Sequence, residues 1–185
     1  MSQAGWIKAL PNQLTMFRIA VVPLFIVLAP WDYEPLNYVS GFLLLMAAIT
    51  DWLDGFIARS FNVESRLGAV LDPLADKLII AAAFVVLAAR YPAFSPLFSV
   101  LMVRELGVTG LRHVALEKGV TLSVNSFGKL KTFAIDTAII CLTVGGELFG
   151  WPWREVGFVS LVIGTGLSLY SAWLYWKIFI KEISF

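Results

Sequence analysis

Long apolar stretches, broken by short polar connections, run along the whole chain. Six of them match the length needed to cross a bilayer: Thr15–Pro30, Leu36–Arg59, Gly68–Arg90, Ala93–Glu117, Phe127–Gly150 and Glu155–Ile180. Several outrun the hydrocarbon layer, so part of each stands in the interface or in water. The connections leave no room for a soluble domain. The pattern predicts a single all-α integral membrane domain over residues 1–185, a bundle of six transmembrane helices. The first run is not read as a secretory signal, because it lacks a small-residue cleavage site, holds Pro23 and Pro30, and precedes five more runs. Ahead of it, Trp6, Ile7 and Leu10 around Lys8 predict a short N-terminal interfacial helix.

Composition agrees: 59% of residues are hydrophobic, which excludes an ordinary soluble domain. The net charge of +1 hides an asymmetry between the two ends of the spans. Lys8, Arg18, Arg59, Arg66, Arg112, Lys118, Lys129, Lys131, Lys177 and Lys181 fall on the side shared by the termini. The opposite connections carry mainly Asp32, Glu34, Glu147 and Glu155, with Arg90 and Arg154 as cations. The positive-inside rule then places both termini in the cytoplasm. Aromatic residues near the span ends, among them Trp31, Tyr33, Trp151, Trp173 and Tyr175, read as interface belts. Gly145-Gly146 and Gly164-x-Gly166 read as sites of close helix packing or bending. Cys141 is the only cysteine, so no intrachain disulfide exists, and no nucleic-acid signature is present.

The chemistry concentrates in four aspartates. Asp51, Asp54, Asp72 and Asp76 fall within twenty-six residues of membrane-type sequence. One acid in the middle of a spanning helix costs roughly 3 kcal/mol on insertion scales, so four require a partner. Asp51, Asp54, Gly55 and Ala58 share one helix face, and Gly68, Asp72 and Asp76 share another. With a turn over residues 60–67 the two faces converge, and clustered carboxylates suit divalent cations. Gly55 would let a flat ligand approach the backbone, and Arg59 would offer a fixed charge to a phosphate. Pro73 should kink or open its helix. The plainer reading has these acids solvated at helix ends or paired with Arg59, Arg66 and Lys77.

Asp51-x-x-Asp54-Gly55-x-x-Ala58-Arg59, eight residues, then Gly68-x-x-x-Asp72-x-x-x-Asp76 resembles, at every fixed position, the signature of the CDP-alcohol phosphatidyltransferases. The resemblance implies six spanning helices with cytoplasmic termini and a homodimer. It implies that Asp51, Asp54, Asp72 and Asp76 hold two Mg²⁺ or Mn²⁺ ions, and that Asp76 is also the general base. Gly55, Ala58, Arg59 and Gly68 would then contact the CDP moiety. An alcohol attacks the phosphorus that bears the lipid, and CMP leaves.

The signature implies CDP-diacylglycerol as donor and leaves the acceptor open. Pro11-Asn12-Gln13-Leu14-Thr15-Met16-Phe17-Arg18 resembles the opening of bacterial phosphatidylglycerophosphate synthases. Asn12 fits a helix N-cap, while Thr15 and Arg18 share a face and would reach substrate phosphate, so all three are assigned to the CDP side. Arg104-Glu105, Arg112 and Gly128-Lys129-Leu130-Lys131-Thr132 resemble the same enzymes. A phosphorylated acceptor needs a cationic pocket, and Arg112, Lys129, Lys131 and Arg104 are its candidates. Arg104 and Glu105 are neighbours on a helix and are not expected to pair.

The resulting expectation is transfer of a phosphatidyl group to sn-glycerol 3-phosphate at the cytoplasmic face of a bacterial inner membrane. Inositol phosphate or phosphatidylglycerol would serve as acceptor by the same chemistry. A different class, a divalent-cation transporter, would place acids in both leaflets. Here the acids crowd towards one end of their helices, with Asp136 the main exception.

Overall fold

A computed structural model describes residues 3–61, 66–119 and 126–183, with side chains described at 12–57, 68, 71–119 and 128–181. Six α-helices account for nearly all of these residues: α1 (Gln3–Leu28), α2 (Glu34–Phe61), α3 (Arg66–Arg90), α4 (Ser95–Glu117), α5 (Ser126–Val144) and α6 (Trp153–Ile183). Among the described residues the chain is all-α apart from a hairpin of two-residue strands, β1 (Glu147–Leu148) and β2 (Trp151–Pro152). Among the described residues, four segments are long and apolar enough to cross a membrane: Asn12–Trp31, Glu34–Ile57, Pro92–Glu117 and Trp153–Lys181. The other two helices carry more charge. In α3, Arg66, Asp72, Asp76 and Lys77 crowd the start, and α5 holds Lys129, Lys131 and Asp136. Along the spans many exposed side chains are themselves apolar, including Val27, Val103 and Val162. A surface of this kind is stable against lipid rather than water.

The backbone folds as two units, Met1–Val86 and Leu87–Phe185. In the first, a 3-10 turn (Ala29–Trp31) joins α1 to α2. Asp32 reverses the chain in left-handed conformation (φ 46°), and its carboxylate accepts a bond from Asn37 Nδ2 at 3.1 Å. Val21, Phe25, Leu44 and Ala47 are buried in this unit. The helix over Gln3–Leu28 corrects two expectations. There is no separate interfacial helix, and Asn12 lies inside α1 rather than at its N-cap. Ala4, Ile7, Ala9 and Leu10 favour a helix upstream, and Pro11 removes only one backbone donor. Likewise α3 continues through Pro73, eight residues into the helix, without opening.

In the second unit α5 and α6 form an antiparallel pair. Gly157 lies against Leu142, where an added Cβ would come within 2.7 Å of Cγ. At Gly164 the same atom would lie 3.0 Å from Ile135 Cγ1. Gly166 and Gly146 have open space at the Cβ position, so the close packing falls to Gly157 and Gly164, seven residues apart on one face. Gly145, at φ +70°, ends α5 six residues before the expected limit at Gly150. The last carbonyls of α5 are all satisfied. Gly145 N–H bonds Cys141 O, Tyr91 Oη bonds Leu142 O at 3.0 Å, Arg90 Nη1 bonds Thr143 O at 2.8 Å, and Gly146 N–H bonds Val144 O. The hairpin is held to α6 by Trp153 Nε1, which donates to Leu148 O at 2.9 Å.

Candidate active site

Asp51 and Asp54 lie one turn apart on α2, and Asp72 lies on α3. All three carboxylates meet at the guanidinium of Arg18, which α1 supplies. Its Nη1 donates to Asp51, and its Nη2 donates to Asp54 and, at 3.0 Å, to Asp72. Thr15, one turn before Arg18 on α1, donates its hydroxyl to Asp72 as well. Asp51 and Asp54 of one acidic face and Asp72 of the other therefore share one partner. Asp76 is one turn further along α3 and exposed. Arg18 is 1% exposed, whereas the carboxylates grade from Asp54 at 8% to Asp51 at 56%. The cluster is thus sealed on the α1 side and open towards Asp51.

Three carboxylates against one guanidinium leave two formal negative charges in a largely apolar bundle. Among the described residues, no three Asp, Glu, His or Cys side chains stand in place to hold a metal directly. The cation now holding them is Arg18. The donor set is nevertheless one of hard carboxylate oxygens, with a hydroxyl beside them. By donor type these residues fit Mg²⁺ or Mn²⁺.

Gly55 is half-buried on the Asp51–Asp54 stripe, and Gly68 is buried one turn before Asp72. The side chains of Ala58 and Arg59 lie outside the described residues. Asn12 is half-buried on α1, one turn before Thr15.

The cationic candidates belong to the second unit and are engaged to different degrees. Lys131 Nζ on α5 donates to Glu105 Oε2 at 2.8 Å, and Arg104 Nη1 donates to the same oxygen at 2.9 Å. Arg104 and Glu105 do pair, contrary to the expectation for adjacent residues. The arginine stem is long enough to turn back to its neighbour, and Lys131 draws the carboxylate to a shared point. Arg104 Nε also donates to Ser168 O of α6 at 2.9 Å, so this network ties α4 to both α5 and α6. Arg112 donates to the Tyr175 hydroxyl, with its guanidinium carbon 4.8 Å from the centre of that ring. Tyr175 is buried and is not part of an interface belt. Lys129 and His113 are exposed. Glu105, an acid inside an apolar span, is the shared acceptor that links Arg104 and Lys131.

A sequence profile of the CDP-alcohol phosphatidyltransferases matches residues 8–179. Among similar proteins, CDP-diacylglycerol–glycerol-3-phosphate 3-phosphatidyltransferase of Bacillus subtilis (strain 168) is 35% identical over 183 residues, covering 91% of this chain and 93% of the relative. The proteins of that name from Salmonella typhimurium and Rickettsia prowazekii are 37% and 32% identical. Those matches cover 88% and 92% of this chain, and 90% and 94% of the relatives. With the signature intact and the match running through nearly all six helices, the chain belongs to the CDP-alcohol phosphatidyltransferase family.

Proposed function

We propose that this protein transfers the phosphatidyl group of CDP-diacylglycerol to the primary alcohol of sn-glycerol 3-phosphate, giving phosphatidylglycerol phosphate and CMP. The observation that carries this reading is that similar proteins of that name align with about nine tenths of the chain. Asp51, Asp54, Asp72 and Asp76 are the residues that would hold two Mg²⁺ or Mn²⁺ ions. Such ions, when bound, neutralise the pyrophosphate and polarise the phosphorus under attack. Asp76 takes the proton from the acceptor alcohol, and its exposure suits a base that must meet a diffusing substrate. Gly55, Ala58, Arg59 and Gly68, with Asn12 and Thr15, are the residues that would contact the cytidine nucleotide.

The acceptor phosphate falls to Lys129, Lys131 and Arg112, with Arg104 behind them. Lys129 is exposed, and the Glu105 bond uses one of the three donors of the Lys131 ammonium. Six helices would span the inner membrane of a bacterium, with the termini and the aspartates at the cytoplasmic face, in a homodimer. The test is CMP release by purified protein with CDP-diacylglycerol, Mg²⁺ and one acceptor at a time. Release with glycerol 3-phosphate alone supports the reading. Release only with inositol phosphate or phosphatidylglycerol would retain the chemistry and overturn the acceptor. Folded protein that releases no CMP with any acceptor would return divalent-cation transport to the front.

A further inference from the structure

The geometry points to Arg18 and a divalent cation as alternative occupants of one carboxylate site, with the guanidinium a tethered counter-ion that metal binding displaces. The inference rests on the metal reading given above. Arg18 now engages Asp51 Oδ1, Asp54 Oδ2 and Asp72 Oδ1, oxygens that belong to the carboxylates assigned to the metal. A guanidinium wedged among three carboxylates and an ion bridging them compete for the same space and the same lone pairs.

The arginine is also incompletely satisfied. Its Nε is buried and has no hydrogen-bond partner. A guanidinium built only as a permanent strut would be expected to place that donor on an acceptor, because a buried N–H left unpaired is a standing cost. The cost lasts only while the side chain stays between the acids, so it favours exchange for an ion. Without any cation the three carboxylates would repel one another and push α2 and α3 apart. Arg18 offsets that repulsion. Once displaced, its charge remains on the α1 face next to Thr15, where a substrate phosphate can take it up. Arg18 is therefore a positioning residue that sets the metal concentration at which the site fills.

The experiment uses the full chain in detergent, without nucleotide, titrated with Mn²⁺ while free Mn²⁺ is read by electron paramagnetic resonance. Arg18→Gln should bind Mn²⁺ more tightly than wild type, by roughly 5–150-fold, the usual range for coupling between two binding events. Its melting temperature without metal should fall, and Mn²⁺ should restore more of it than in wild type. Unchanged or weaker binding by Arg18→Gln would overturn the inference while leaving the metal reading in place. No Mn²⁺ binding by wild type would remove both. Should Arg18→Gln fail to fold, wild type alone decides through modification of Arg18 by phenylglyoxal, located by mass spectrometry. Slow modification without Mn²⁺ and faster modification with it supports displacement, whereas equal or slower modification with Mn²⁺ overturns it.

Discussion

Asp76 and Asp72 stand one helical turn apart, yet their surroundings differ. Asp72 accepts from Thr15 and Arg18, and Asp76 is exposed. Under the proposed function Asp76 is the general base. Asp76→Asn should lower turnover by about 10²–10⁴-fold, the usual contribution of a general base, with nucleotide binding largely kept. Stopped turnover with normal CDP binding in an equilibrium assay would fit, and near-normal turnover would remove Asp76 from that role. For the acceptor, Lys129→Ala with Lys131→Ala should raise the KM for glycerol 3-phosphate far more than that for CDP-diacylglycerol. Equal rises in both would place these lysines elsewhere. The proximity of the acids was legible in their spacing, because i, i+3 and i+4 positions define a helix face. Their partner in the structure was not. Arg18 lies thirty-three residues before Asp51, and no local periodicity links them.

Between elements, the polar network and the glycines do opposite jobs. Glu105 on α4 holds Lys131 of α5 and Arg104, whose Nε in turn reaches Ser168 O of α6. Glu105→Ala would leave two cations without it, a loss of about 3–5 kcal/mol for a buried charge network broken on one side. Its melting temperature should drop well below that of Lys129→Ala, which alters an exposed residue; equal values would show the network to be dispensable. Gly157→Val should also weaken the α5–α6 pair, because its Cβ would enter the space of Leu142. Thermal unfolding followed by circular dichroism reads both. Helix existence and most helix ends were legible from hydropathy. The end of α5 differs from the expected limit because the backbone turns at Gly145, in left-handed conformation, and Gly145-Gly146 stops the helix rather than bending it. Arg104 and Glu105 were misjudged because the rule for adjacent residues describes Cβ directions, not the reach of long side chains.

For the whole molecule, the charge asymmetry carries an expectation about sidedness. Cys141 is buried and is the only cysteine, so replacing it by serine gives a background for single-cysteine labelling. Lys118→Cys should react with an impermeant maleimide from the cytoplasmic side, and Phe149→Cys, which replaces a residue 89% exposed, from the other. Labelling of both from one side would overturn the proposed orientation. Four helices announce themselves as spans, and the two that do not, α3 and α5, carry aspartates and lysines assigned to the chemistry. In α3 and α5 the charges exceed what an apolar span tolerates, whereas α2 and α4 keep the hydropathy signal despite Asp51, Asp54, Arg104 and Arg112.

The order of residues in the Arg18 cluster also bears on how the chain is made. Translation delivers α1 first, so the arginine is in place before Asp51 and Asp54 emerge on α2. Each acid would otherwise resist entry into the bilayer by roughly 3 kcal/mol. A helix that meets its counter-charge on the preceding hairpin arm can partition as a pair, before Asp72 has left the ribosome.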